Sequence, residues 1–288
     1  MGETNMLLND NEIKRLQSVC MEMLEEVDRI CRKNNIKYSL CGGTLLGAVR
    51  EHGFISWDDD ADLAFTRDQY ELFVEACKKD LNHERYYLQD HDIEPEYPWG
   101  YAKVRMHGTK LVQKGQTHLK FRNGIFLDVF IYDHVPDGKL SRKFHYFKCY
   151  CIRKCQYSVV GKYNAKSAFM RGWYHCIDKI PKKWLFSELD RMAKKWNKRD
   201  TELCRHLTFP YFRKECKYGL PTKCFDGYMD ADFEGRKLMI VKGYDTVLSL
   251  KYGDYMTPPP PSEITYYPIH EIVFPNKVTL LSARSFPG

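Results

Sequence analysis

The spacing of apolar residues changes period several times in the first half of the chain, and each change predicts an element. Over residues 9–34, Ile13, Leu16, Cys20, Met23, Val27, Ile30 and Cys31 recur every three or four positions, which puts them on one helix face. Asn9 or Asp10 supplies the N-cap and Asn34-Asn35 closes the helix. Residues 37–41 read as a short strand, Gly42-Gly43 as a turn, residues 44–51 as a short helix and residues 53–57 as a loop. Alternation over residues 58–65 predicts a strand. Tyr70, Phe73, Val74 and Cys77 predict an amphipathic helix over residues 67–81. Strands are expected at residues 86–89, 101–106, 110–113 and 124–132. This order predicts an α/β (α+β) fold, a mixed sheet flanked by helices.

From residue 140 to 199 the strand signals vanish and the pattern is helical. Short strands return at residues 228–233 and 236–241, then a helix near 244–251 and an extended tail marked by the prolines at 258–261. The expected organisation is a core over residues 1–138, an inserted helical lobe over 139–224, and a segment over 225–288 that returns to the core.

Composition narrows the class. Hydrophobic residues at 43% and aromatics at 14% let 288 residues bury a sizeable core, which excludes disorder. No apolar run approaches the roughly 18–20 residues that span a bilayer. The first residues lack the basic start and apolar stretch of a secretory signal. The eleven cysteines form no disulfide-scaffold spacing. Most sit in apolar helical stretches, such as Cys20, Cys31, Cys77 and Cys176, where a free thiol acts as a small hydrophobe. A cytoplasmic address is expected.

Charge separates the lobe from the rest. The net charge is +7, but residues 139–183 hold twelve Lys and Arg and one acid, Asp178, so that segment is +11 and the remainder −4. The partner of such a lobe should be anionic: a phosphate-bearing or lipid-linked glycan, the inner face of a membrane touched peripherally through residues 139–183, or, least favoured, nucleic acid. The competing reading is a solvated helix face whose aromatics pack inward. Cys149, Cys151 and Cys155 lack the spacing of a zinc site.

The densest chemistry lies in residues 42–65, GGTLLGAVREHGFISWDDDADLAF. On a strand, Asp58, Asp60 and Asp62 share a face and Asp59 points away. Three like charges on one face need a cation or protons, and oxygen-only ligands suit Mg²⁺ or Mn²⁺. A Ca²⁺ loop counted from Asp58 fails, because its sixth position is Leu63 and its twelfth Gln69. Gly42, Gly43 and Thr44 open a helix, where glycines allow close approach of a phosphate to free N–H groups. A later carboxylate, Asp128, lies in the apolar run GIFLDVFIYD, and a buried lone Asp needs a partner. Asp133 is the alternative, at the end of that strand. Lys103 and Arg105 alternate on residues 101–106 as a possible phosphate clamp, or as a half-solvated strand face.

A Gly-Gly helix start, an Asp-x-Asp pair (Asp60-Ala61-Asp62) and a third carboxylate on a later strand resemble the DNA polymerase β-type nucleotidyltransferase fold. More closely, residues 42–65, residues 124–133 and Tyr252-Gly253-Asp254-Tyr255-Met256 before the prolines resemble the LicD family, with Ser56 where that family usually carries Pro. The family includes the animal proteins fukutin and fukutin-related protein. The resemblance implies metal-dependent transfer of a phospho-alcohol from a CDP-linked donor, most often CDP-choline, to a hydroxyl of a surface glycan of lipopolysaccharide, teichoic acid or capsule type, releasing CMP. The alternatives are a nucleotidyltransferase forming an NMP-linked product, or a non-catalytic nucleotide-binding module.

Under this reading Asp58, Asp60, Asp62 and Asp128 hold the metal, and Asp60, Asp62 and Asp128 are catalytic, with Asp128 favoured as general base. Gly42, Gly43, Thr44, Arg50, Lys103 and Arg105 bind the donor phosphates. Tyr97, Trp99, Tyr101 and Trp57 are candidates for a choline cage or for packing.

Overall fold

The fold is organised around one long strand, Phe126–Val135, in a computed structural model that describes residues 6–264 and 266–276. The chain first forms α1 (Asp10–Lys33), β1 (Ser39–Leu40), α2 (Gly42–Arg50), β2 (Asp62–Thr66) and α3 (Arg67–Asp80). Next come β3 (Tyr86–Gln89), β4 (Ala102–Met106), β5 (Lys110–Gln113) and the long strand, β6. Three helices follow, α4 (Lys139–Asn164), α5 (Ala168–Ile177) and α6 (Lys182–Asn197). The chain then adds β7 (Leu203–His206), β8 (Leu220–Pro221), a hairpin of β9 (Tyr228–Phe233) and β10 (Arg236–Val241), α7 (Tyr244–Tyr252) and β11 (Ile269–Val273).

The main sheet runs β1-β2-β6-β4-β3. Only β2 and β6 pair in parallel; β1, β4 and β3 join antiparallel, so the sheet is mixed as expected. The length of β6 lets it serve three neighbours. One edge holds β2; along the other, residues 126–129 pair with β4 and residues 132–135 with β7.

The apolar stripe predicted on α1 is buried, and Asn9 caps the helix in a reciprocal box with Glu12. A second apolar cluster joins Val135 to Cys149, Ile152 and Cys155 of α4 and to Leu185, Phe186 and Leu189 of α6.

Several expectations are corrected. The strand expected from residue 58 starts at Asp62. Residues 55–58 instead form a turn, Asp58 N–H to Ile55 O, and buried Gln17 of α1 donates to the Ile55 and Asp58 carbonyls at 3.0 and 2.9 Å. β5 leaves the main sheet and pairs with β11. The chain rejoins the main sheet at β7, beyond the helical pattern of residues 140–199 but still within the stretch assigned to the lobe. Cys20, Cys31 and Cys77 are buried as expected, but Cys176 is exposed. Cys149 and Cys155 are buried while Cys151 is exposed, so the three thiols do not share one environment.

Candidate active site

The start of α2 and the start of β2 are tied together. Cys41 N–H donates to the Asp62 carbonyl at 3.0 Å, and Asp62 N–H donates to the Thr44 hydroxyl at 2.8 Å. Thr44 is buried, so it positions Asp62 and presents no free hydroxyl face to a phosphate. Gly42 has φ +58, and a Cβ there would collide with the Asp62 carboxylate; a Cβ on Gly43 would collide with that of Asp58. The two glycines therefore admit carboxylates over the N-terminal end of α2, where the helix dipole favours negative charge.

Sheet register completes the cluster. Asp62 of β2 is the partner of Asp128 on β6, and Asp128 is the partner of Lys103 on β4. Asp60, Asp62 and Asp128 each offer an oxygen within 4.8 Å of the others, and Asp58, Asp59 and Asp60 form a second such group. Asp60 belongs to both. Asp59 thus joins the cluster instead of turning away, because residues 58–61 are loop and do not alternate.

The electrostatics follow from crowding in a poorly solvated place. Burial, then repulsion from neighbouring carboxylates, pushes Asp60 and Asp62 well above the usual carboxylate range, and burial with Asp59 raises Asp58 to about 7. Lys103 is ion-paired with Asp128 and lies 3.1 Å above the Phe126 ring; burial lowers its pKa to about 8 despite that partner.

Other sequence candidates fall elsewhere. β4 is buried along its whole length, so Lys103 and Arg105 are no open clamp: Arg105 is spent on Gln89 and the Gly124 carbonyl. Arg50, at the far end of α2, pairs with Glu51 and donates to the Tyr255 carbonyl. Asp133 lies on the opposite face of β6 from Asp128 and forms a two-pronged ion pair with Arg67 at 2.9 and 2.8 Å. Tyr97 is buried and meets Tyr101 edge-on, and Tyr101 in turn packs on Phe130 and His206. Trp57 packs against the main core.

Two cavities flank the acids. One of about 300 Å³ is lined by Gly42, Gly43, Asp62, Lys251 and a set of rings that includes Phe130, Phe209, Tyr211 and Phe212. The other, about 450 Å³, lies between Asp59, Asp60, β5, Tyr157 and Asn164. Tyr267 borders both. A larger open cleft of about 850 Å³ between Asp92 and the basic side of α6 touches none of these acids. Lys251 and the aromatic run at 209–212 were not singled out from the sequence. Lys251 adjoins the matched Tyr252-Gly253-Asp254-Tyr255 segment, and the Phe209-Pro210-Tyr211-Phe212 run itself is a signal, hidden in a stretch assigned to the lobe.

Comparison with known proteins agrees with this geometry. Residues 35–148 match the family described as LicD/FKTN/FKRP, nucleotidyltransferase domain. Over 279 residues the chain is 31% identical to the lipopolysaccharide cholinephosphotransferase LicD of Haemophilus influenzae, covering 90% of this chain and 97% of that one. An uncharacterised protein of Rickettsia typhi is 39% identical over 62 residues, 19% of this chain and 20% of its own. The family match spans Asp58, Asp59, Asp60, Asp62 and Asp128, and the chain belongs to the LicD family of phosphotransferases.

Proposed function

We propose that this protein transfers phosphocholine from CDP-choline to a hydroxyl of a cell-surface glycan of the lipopolysaccharide type, releasing CMP, with Mg²⁺ or Mn²⁺ as cofactor. The observation that carries this reading is the meeting of Asp60, Asp62 and Asp128 beside the double-glycine start of α2 and a cavity. The donor set fits a hard divalent cation, since every ligand is a carboxylate and Lys103 is the one cation bonded to the trio among the described residues. Asp58 reaches the same place through Asp60. When bound, such an ion neutralises the donor pyrophosphate and makes its phosphorus more electrophilic.

The protein's own groups do the positioning. Lys251 has no carboxylate partner among the described residues and faces the 300 Å³ cavity with Gly42 and Gly43, so ammonium and helix N–H groups receive the donor phosphates there. Phe130, Phe209, Tyr211 and Phe212 offer ring faces to the trimethylammonium group. The acceptor hydroxyl enters from the 450 Å³ cavity. Its oxygen attacks the choline-bearing phosphorus, the bond to the CMP oxygen breaks, and CMP leaves with the electron pair. The hydroxyl proton passes to Asp60, which borders that cavity, whereas Asp128 is tied to Lys103.

Incubation with CDP-choline, Mg²⁺ and a lipopolysaccharide lacking phosphocholine tests the reading. CMP release with phosphocholine gained by the glycan is expected. Pyrophosphate from CTP, without CMP from CDP-choline, assigns nucleotidyl transfer instead.

A further inference from the structure

Helices α4 and α5 turn part of their apolar surface outward. On α4, Leu140 is 83% exposed, Phe144 62% and Phe147 58%. At helical spacing these three and exposed Cys151 form one stripe, turned away from the inner face of His145, Cys149 and Ile152. On α5, Phe169, Trp173 and Cys176 repeat the pattern. The two helices pack together where Tyr174 meets Tyr157 and Lys154. The inward packing expected of the lobe's aromatics therefore fails for this stripe.

The surrounding charge is unspent. Of the twelve cations in residues 139–183, Arg142, Lys148, Lys162 and Lys182 pair with carboxylates. The other eight have no carboxylate partner among the described residues. Asp178, the one acid of the segment, is occupied by Lys162, Lys182 and Ser158.

We infer that this face docks on an anionic lipid bilayer, with Leu140, Phe144 and Phe147 in the headgroup region and the neighbouring lysines and arginines against lipid phosphates. An apolar stripe alone suits another protein, and a cationic face alone suits nucleic acid. The two on one helix suit the boundary of an anionic membrane. A second copy of the chain is a poor occupant, because a two-fold contact sets unpaired cations of this face, such as Lys139 and Lys143, against their own copies. No helix among the described residues is long and apolar enough to cross a membrane, so the contact is peripheral. The far half of α4 carries Tyr157 and Asn164 to the cavity beside Asp60, ten residues and about 15 Å of helix beyond Phe147. Docking thus holds that cavity near the lipid surface, and it stands whether or not the donor is CDP-choline.

Vesicle flotation of the full chain tests this. The protein is expected to float with phosphatidylcholine vesicles containing phosphatidylglycerol and to stay behind with phosphatidylcholine alone. The double variant Phe144→Ser/Phe147→Ser should lower the bound fraction about tenfold or more, and Lys139→Glu/Lys143→Glu should lower it and flatten its salt dependence. Both pairs are at the surface, and circular dichroism with thermal melting checks that the fold survives. Failure of the wild type to float with anionic vesicles overturns the inference. So does flotation indifferent to the two serines, a dimer by light scattering that the serines dissolve while vesicles go unbound, or retention of duplex DNA at physiological salt in place of vesicles.

Discussion

Asp62 and Asp128 stand side by side on adjacent parallel strands, partners in the β2–β6 register. Neighbouring partners point to the same face, so the ladder itself brings the two carboxylates together. Sheet hydrogen bonds hold them there against their repulsion, which makes a divalent cation the natural counterweight. Asp62→Asn and Asp128→Asn should each lower CMP release by at least about a hundredfold. In chelator, Asp62→Asn should be no less stable than the wild type, since it deletes a buried repulsive charge. Mg²⁺ or Mn²⁺ should raise the melting temperature of the wild type and leave that of Asp62→Asn unchanged. A wild-type melting temperature indifferent to both ions removes the metal from the site.

The same crowding predicts how stability depends on pH. Asp58 titrates near 7 in the folded protein, and Asp60 and Asp62 are also raised, against about 3.9 in the unfolded chain. Between those values the unfolded chain has released protons that the folded one keeps, so these groups lower stability as pH rises. His145 and His206, pushed down to about 4 and about 3 by burial, act with the opposite sign up to the unfolded imidazole value of about 6.5. The clean window is therefore about 6.5 to 7.5, above the imidazoles and below Lys103. There the metal-free protein should lose stability with rising pH in urea titrations. Saturating Mg²⁺, which binds the deprotonated acids, should remove the slope. A metal-free stability that climbs across this window contradicts the raised carboxylates.

Lys103 is the counter-charge already built in. Lys103→Met leaves Asp128 buried beside Asp62 with no bonded cation, and should cost about 3–5 kcal/mol in chelator. The deficit should shrink in Mg²⁺. The double variant Lys103→Met/Asp128→Asn should be more stable than Lys103→Met alone, because the stranded charge is gone. Additive losses in that cycle, measured by urea denaturation, would mean that the pair is not coupled.

How much of this was legible in the sequence depends on range. Helix α1 was readable because its stripe and its Asn9/Glu12 box are local. The strands at Tyr86–Gln89, Tyr228–Phe233 and Arg236–Val241 lie at their predicted bounds. Asp128 stood out as a lone acid in an apolar run. The start of β2 did not, because alternation continues through Asp58 while a distant side chain, Gln17, claims the Ile55 and Asp58 carbonyls. β7 was hidden because its Arg205 and His206 are buried polar residues, which no alternating pattern announces. Arg50 and Arg105 looked free because backbone acceptors such as Tyr255 O and Gly124 O leave no trace in a sequence. Lys251 reaches the cavity by a fold-level path that spacing does not encode.

Gly42 can be separated from a generic turn glycine. Its φ is +58 and a side chain there strikes Asp62, whereas Gly108, at φ +70, has nothing within 4 Å of an added Cβ. Both Gly42→Ala and Gly108→Ala pay the left-handed strain of about 1–2 kcal/mol. Only Gly42→Ala should also displace the carboxylate, and its CMP release should fall by about tenfold or more while Gly108→Ala stays close to wild type. Equal activities in the two variants would show that Asp62 tolerates the shift.

Lys251 offers the sharpest division between binding and chemistry. It sits in the last turn of α7, just before the loop whose Tyr255 carbonyl is gripped by Arg50, so its backbone is anchored while its ammonium has no carboxylate partner among the described residues. Removing it breaks no ion pair among the described residues, and Lys251→Ala should melt close to the wild type. A charge-assisted hydrogen bond to a donor phosphate contributes about 1.5–3 kcal/mol, so KM for CDP-choline should rise on the order of tenfold or more. Because a ground-state phosphate contact acts on both bound substrate and transition state, kcat should change far less than it does in Asp62→Asn. Lys251→Arg should recover part of the loss, since the charge is kept and the geometry is not. An unchanged KM with a lowered kcat would move Lys251 from holding the donor to stabilising the charge that develops on CMP.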